Sequence, residues 1–143
     1  MGIIIDTSLL IAAEKRRFDF AAFCAAHAND SMSAAAITAS ELWHGCERAS
    51  DPRTRSIRKH FADDILSQIE IIAFGESEAE HHARIWATLE KQGEMIGPHD
   101  LLIAATALSF GFSVATLNQK EFQRVPGLNL INTEPFKLPL ARK

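Results

Sequence analysis

Short runs of apolar residues alternate along this chain with longer stretches in which apolar positions recur every three or four residues. Gly2–Ile5 is a β-branched run suited to a strand covered on both faces. Asp6-Thr7-Ser8 offers capping side chains for a helix beginning at Leu9 and passing through Ala13. The pattern then predicts a helix over about 18–27, a short strand at 31–34 and a helix from Ile37 to about Arg48. Pro52 fits the first turn of a further helix, over about 53–67. A strand at 69–74 precedes a long amphipathic helix, Glu76–Gln92, whose apolar face is expected to carry Ala79, Ala83, Trp86 and Leu89. Gly97-Pro98-His99-Asp100 opens an alanine-rich helix that Gly111 stops. Strands at 112–116 and 128–131 flank a short turn of helix at 118–122. Strand–helix alternation at these lengths predicts an α/β protein: a three-layer α/β/α fold around a central, mostly parallel sheet of four to five strands. Residues 1–133 read as one domain and 134–143 as a loose C-terminal tail.

Composition narrows the class. At 143 residues the chain can bury roughly 68–70% of its unfolded surface, so a core needs neither disulfide nor structural metal. The net charge of −3 excludes a protein that coats nucleic acid by bulk positive charge. Contact with nucleic acid has to come from local basic patches, or from metal ions that screen the chain's own carboxylates. Cys24 and Cys46 form no C-x-x-C pair and read as reduced cysteines of a cytoplasmic protein. The N-terminus lacks the basic region of a signal peptide. Leu101–Gln119 carries no charge, but Ser109-Phe110-Gly111-Phe112-Ser113 interrupts it, so a buried helix and strand are expected there rather than a membrane span.

In a parallel sheet the ligand crevice lies outside the carboxyl ends of the strands. Three acids fall beside segments that must be buried: Asp6 after the first strand, Glu41 beside Leu42 and Trp43, and Asp100 before Leu101-Leu102-Ile103-Ala104-Ala105. An ionised carboxylate there is costly unless a positive or hydrogen-bonding partner meets it, and no Lys or Arg lies near Asp6 or Asp100 in sequence. Such a set suits a hard divalent cation. Taken singly, Asp6 and Asp100 also fit helix caps, and Glu41 a solvated helix acid.

The sequence resembles the PIN-domain ribonucleases, and among them the VapC toxins of bacterial toxin–antitoxin pairs. Four blocks carry the resemblance: Ile4-Ile5-Asp6-Thr7-Ser8; Ile37-Thr38-Ala39-Ser40-Glu41-Leu42 with Gly45; Gly97-Pro98-His99-Asp100 through Ala105; and Ala115-Thr116-Leu117-Asn118 through Glu121-Phe122 to Val125-Pro126-Gly127-Leu128. The resemblance implies a Mg²⁺- or Mn²⁺-dependent endoribonuclease that hydrolyses structured RNA, tRNA or rRNA, by metal-activated water. Asp6, Glu41 and Asp100 would be its metal-binding and catalytic acids, with Asn118 as a further catalytic polar residue. Many PIN domains carry an Asp at the place of Asn118, so this chain has one anionic ligand fewer there. Thr116, Thr7 and Ser8 are expected to support the site or meet a phosphate, and Lys120 and Arg124 to contact substrate. The resemblance also implies a VapB-type antitoxin lying over the crevice, and a homodimer. The apolar faces of the helices at 9–27 and 38–48 are the expected dimer surface.

Rival readings are weaker. His44 and Cys46 lack the second pair of a zinc site, and Ser8 lacks a G-x-S-x-G context. Adjacent His81 and His82 suit a solvated helix face, whereas His99 could touch substrate or serve the helix start. The basic run Arg48, Arg53, Arg55, Arg58 and Lys59, and the triplet Lys15-Arg16-Arg17, fit either RNA phosphate or a solvated face. The alternative from another class is a PIN-like module that binds RNA or protein without cutting it; retention of all three acids argues against it.

Overall fold

Three consecutive isoleucines build the centre of the molecule. In the computed structural model, which describes residues 1–140, Ile3, Ile4 and Ile5 of strand β1 (Gly2–Ile5) are all buried. Because strand side chains alternate, Ile4 joins the apolar cluster on one side of the sheet and Ile3 and Ile5 join the other. Helices α1 (Thr7–Glu14) and α2 (Phe20–Ala26) follow, then β2 (Ser31–Ala35), α3 (Ala36–Glu47) and α4 (Pro52–Gln68). The chain continues through β3 (Glu70–Ile72), α5 (Glu76–Gln92), α6 (Pro98–Phe110), β4 (Ser113–Ala115) and the short α7 (Gln119–Phe122), ending in a 3₁₀ turn at Glu134–Phe136.

The strands are hydrogen-bonded in the order β3-β2-β1-β4, and every pairing is parallel. The sheet grows outward from β1 to β3 and then returns to place β4 on the other side of β1. The switch in strand order therefore falls between β1 and β4, where a crevice forms outside their carboxyl ends. Leu9, Leu10, Phe23, Leu42 and Ile65 of α1–α4 cover one face, and Ile85, Leu89, Leu101 and Ile103 of α5 and α6 cover the other. This is the expected α/β/α arrangement. The expected fifth strand is one parallel bridge, Val114 to Leu130, so the regular sheet has four strands.

Three other expectations change. On α5 the buried residues are Glu78, Ile85 and Leu89, whereas Ala79 and Ala83 are exposed and Trp86 is 49% exposed. The sequence holds two competing apolar stripes about one position apart, and the N-terminal cap selects between them. Glu78 accepts the Gly75 N–H at 2.9 Å and a hydrogen bond from Ser109 of α6, which turns its own stripe inward. Trp86 is left outside, edge-on to His82, which in turn packs edge-on to Phe74.

The inner faces of the helices at 9–27 and 38–48 are not available as a dimer surface. Leu9, Leu10, Phe23, Leu42 and Cys46 are packed against β1, and only Ile11 and Trp43 are large apolar residues facing out. The segment after Thr133 is also tied down as far as Leu138. Phe136 packs against Phe18 and Phe23, Phe18 bridges Lys137 in antiparallel fashion, and Leu138 donates its N–H to Arg17 O at 2.8 Å. Residues 141–143 of the expected tail lie outside the described residues. The uncharged stretch 101–119 divides between α6 and β4 around Gly111 at φ +68°, and no helix among the described residues is long and apolar enough to cross a membrane. Cys24 and Cys46 are both free.

Candidate active site

Asp6 leaves β1 at the switch point, and its N–H extends the strand pairing to Ala115 O at 2.9 Å. It occupies the N-cap position of α1, which begins at Thr7 rather than Leu9, yet its side chain makes no capping hydrogen bond. The carboxylate turns instead into the crevice, where Oδ2 accepts from Ser8 Oγ at 2.6 Å and Thr116 Oγ1 at 2.7 Å. Only 2% of Asp6 is exposed. Burial pushes its carboxyl above the usual range; the Ser8 and Thr116 hydroxyls oppose that shift and the charge of Glu41 adds to it.

Glu41 lies a turn into α3, with Thr7 donating to its Oε1 at 2.8 Å. Its Oε2 stands 3.5 Å from His99 Nδ1 at the rim. Asp100 sits in the first turn of α6, where Pro98 sets the first helical position and Gly97 caps without a side chain. Asn118, which ends the loop after β4, donates its amide to Asp100 Oδ2 at 3.1 Å. Thr116 holds that loop in place, since its hydroxyl also accepts the Asn118 N–H at 2.9 Å. The crevice thus collects Asp6, Glu41, Asp100, Asn118, Thr7, Ser8 and Thr116 from four separate segments.

A fourth acid was not among the expected site residues. Glu121 of α7 lies beside the Asp100 carboxyl, and the two shift each other's titration in opposite directions. Burial, the hydrogen bond to Glu121 and the charge of Asp6 push Asp100 up to about 7, with Asn118 opposing. Glu121 is held below its usual value, chiefly by the Asp100 side chain and against the burial that would raise it, with the Gly97 backbone and Asn118 adding to the effect. The available signal was spacing: residues three apart on a helical turn face the same way, so Asn118 and Glu121 point to one partner. Glu121 returns to the crevice the negative charge that Asn118 lacks.

The expected substrate contacts are placed differently from one another. Lys120 is exposed on α7, with no ion pair among the described residues. Arg124 donates to Met95 O at 2.9 Å and so fastens the loop that leads into Gly97 and Asp100.

The donors gathered here fit a hard divalent cation. They are carboxylate and hydroxyl oxygens, and among the described residues no Lys or Arg forms an ion pair with any of the four acids. Among those residues no three His, Cys, Asp or Glu side chains are grouped so as to hold a metal ion by themselves. Mg²⁺ needs no such group, since it takes one or two carboxylates and fills the rest of its octahedron with water and substrate oxygen.

The sequence and the fold both match known proteins. Residues 3–128 match the PIN domain family. The chain is 36% identical over 137 residues to the Ribonuclease VapC of Rickettsia bellii, a match covering 96% of this chain and 99% of that protein. It is 34% identical over 100 residues to a Salmonella typhimurium protein named tRNA(fMet)-specific endonuclease VapC, covering 69% of this chain and 73% of the relative. The fold superposes on a chain in the crystal structure of VapBC2 from Rickettsia felis bound to a DNA fragment from their promoter, with a TM-score of 0.85 and 27% identity. That superposition covers 92% of this chain and 98% of the other. The chain belongs to the PIN domain family and, within it, to the VapC ribonucleases.

Proposed function

We propose that this protein is a Mg²⁺- or Mn²⁺-dependent endoribonuclease that cuts structured RNA, tRNA or rRNA, as the toxin of a VapBC-type pair. One observation carries the reading: Asp6 is buried, ionisable and met by neutral donors, the Ser8 and Thr116 hydroxyls and the Thr7 backbone, in a crevice shared with three further acids. An uncompensated carboxylate cluster destabilises the fold unless a cation completes it. When bound, the divalent ion supplies an activated water and offsets charge on the phosphodiester. The chain's own residues prepare the place. Ser8 and Thr116 orient Asp6, Thr7 orients Glu41, and Asn118 with Glu121 holds Asp100. Asp6, Glu41 and Asp100 are the residues that would hold the ion. An ion held there would favour the ionised form of Asp100.

The name of the Salmonella typhimurium relative supports tRNA as the substrate class, and the VapBC complex of Rickettsia felis supports a VapB-type antitoxin as partner. Pairing of two copies is the remaining part of the reading. With the inner faces of α1 and α3 consumed by the core, light scattering of the purified protein decides whether it forms a dimer by another surface.

Cleavage of total cellular RNA by the purified protein, with Mg²⁺ or Mn²⁺ against EDTA, tests the activity. The expected result is a few discrete metal-dependent fragments, absent with folded Asp6→Asn and Asp100→Asn variants. Identical patterns from wild type and variants would assign the cleavage to a contaminant. No cleavage with either ion, with antitoxin shown absent, would leave a module that binds without cutting.

A further inference from the structure

A second feature reaches the crevice from the far end of α1. We infer that the turn Lys15-Arg16-Arg17, together with Lys137, forms a phosphate-binding lane that carries an RNA strand into the crevice at Ser8. This rests on the ribonuclease reading and specifies how its substrate is held.

The lane is a groove of about 450 Å³ that begins at Ser8, runs along α1 past Ile11 and Ala12, and is rimmed by Lys15, Arg17 and Lys137. Ser8 is the residue whose hydroxyl bonds Asp6, so one end of the groove lies one side chain away from the carboxylate at the switch point. At about 1.5 Å per helical residue, Lys15 lies roughly 10 Å from Ser8 along α1, a span longer than one nucleotide. The floor is apolar, suited to the faces of ribose and base, and the groove has no acidic lining residue. The neighbouring groove, which shares Ile11 and Lys15, differs: Glu14 and Glu41 line it beside Arg48 and Arg58, and Arg58 is occupied in donating to Gly45 O at 2.9 Å.

Two chain segments far apart in sequence are joined to bring these cations together. The Phe18–Lys137 bridge and the Leu138 N–H to Arg17 O bond lay the C-terminal segment beside the turn. Among the described residues, Lys15, Arg16 and Arg17 form no ion pair. Lys137 pairs only with the exposed Glu134, a contact of the kind that yields readily to a phosphate.

The backbone of the turn is the independent sign. Arg16 N–H bonds Ala13 O and Arg17 N–H bonds Ala12 O, the pattern that closes a helix through a left-handed residue, normally glycine. Here Arg16 takes that position at φ +58°, the one positive-φ non-glycine residue among those described. A cation is kept where glycine would be less strained, as expected when the side chain has a role outside folding.

Binding is measured apart from cleavage, using Asp100→Asn as an inert background and fluorescently labelled bulk tRNA as the probe. Removing Lys15 and Arg17 as K15A/R17A is expected to weaken binding roughly tenfold or more near 0.1 M salt, and to flatten the slope of log affinity against log salt by about 0.7–0.9 per cation removed. Arg84→Ala with Lys91→Ala on α5 removes the same charge elsewhere and should leave the slope unchanged. Arg16→Gly should melt at a higher temperature than its background yet bind the probe more weakly. An unchanged salt slope in both lane variants overturns the lane; loss of antitoxin capture by those same variants would make the surface a protein-docking face. Failure of the wild type to cleave any RNA would sink the nuclease reading alone, because the lane is judged by the slopes.

Discussion

Thr116 donates its hydroxyl to Asp6 at 2.7 Å across a separation of 110 residues, and accepts the Asn118 N–H with the same oxygen. One buried side chain thus orients the acid that ends β1 and the loop that leads to Asn118 and Glu121. Thr116→Val keeps the shape and removes both bonds, leaving a buried carboxylate short of a donor and an N–H without an acceptor. The expected cost is about 1–3 kcal/mol of stability, read by denaturant unfolding, together with reduced cleavage. Thr116→Ser should restore most of both; a Val variant with wild-type cleavage would show that Thr116 serves packing alone.

Asp100 is expected to make stability, and the proposed ion binding, depend on pH. Its folded-state value of about 7 lies above the ordinary 3.8, so between those values the folded state holds a proton that the unfolded state has released. Its contribution is therefore fully present below about pH 4 and is lost as pH rises through about 7. Metal-free protein should melt at a higher temperature at pH 6 than at pH 8, the reverse of a salt-bridged carboxylate. Since the ion must displace that proton, Mg²⁺ or Mn²⁺ affinity should rise with pH up to about 7 and then level off. Calorimetry at several pH values checks both, along with the proton released on binding.

Asp100→Asn removes the ionisation that the site resists. After discounting for half exposure, the metal-free variant should gain about 1–2 kcal/mol at pH 8. It should also lack the thermal shift that divalent ions are expected to give the wild type. A variant less stable than wild type at that pH would place the dominant strain elsewhere.

Glu121→Gln separates the fourth acid from the other three. With the negative acceptor gone, Asp100 loses a hydrogen bond and a repulsive neighbour, both of which raise it. Its titration should move below 7, and the pH profile of cleavage should extend to lower pH even as the rate falls. A profile that keeps its midpoint would show that burial alone sets Asp100.

Phe136→Ala tests the docking of the C-terminal segment. The ring packs against Phe18 and Phe23, with an edge-on contact to Phe23 at 5.4 Å between centroids. Being half-buried, it should cost about 2–3 kcal/mol, below the range for a fully buried phenylalanine. Ending the chain after Thr133 should cost at least as much by thermal melting; an unshifted melt would return the segment to the loose tail that its composition suggests.

The sequence by itself determined the element order, because strand and helix periodicities are local. The β-branched run at Gly2–Ile5, the breaks at Pro52, Gly93 and Gly111, and the acids directly after or before apolar runs are all read from neighbours a few residues apart. Asp6, Glu41 and Asp100 were legible because each is a charge beside residues that must be buried, and the four blocks around them carried the family. Tertiary structure decided what depends on distant partners. Which stripe of α5 faces inward turned on the contact of Glu78 with Ser109 across 31 residues. The tail could not be seen to dock, because Phe18 and Phe23, which receive Phe136, lie at the other end of the chain. Whether Asp6 caps its helix or serves the crevice was open in sequence; Thr116 decided it by competing for the carboxylate. Glu121 became a site residue only when α7 was placed beside the start of α6, since two carboxyls shift each other only when they are close and no local pattern specifies that.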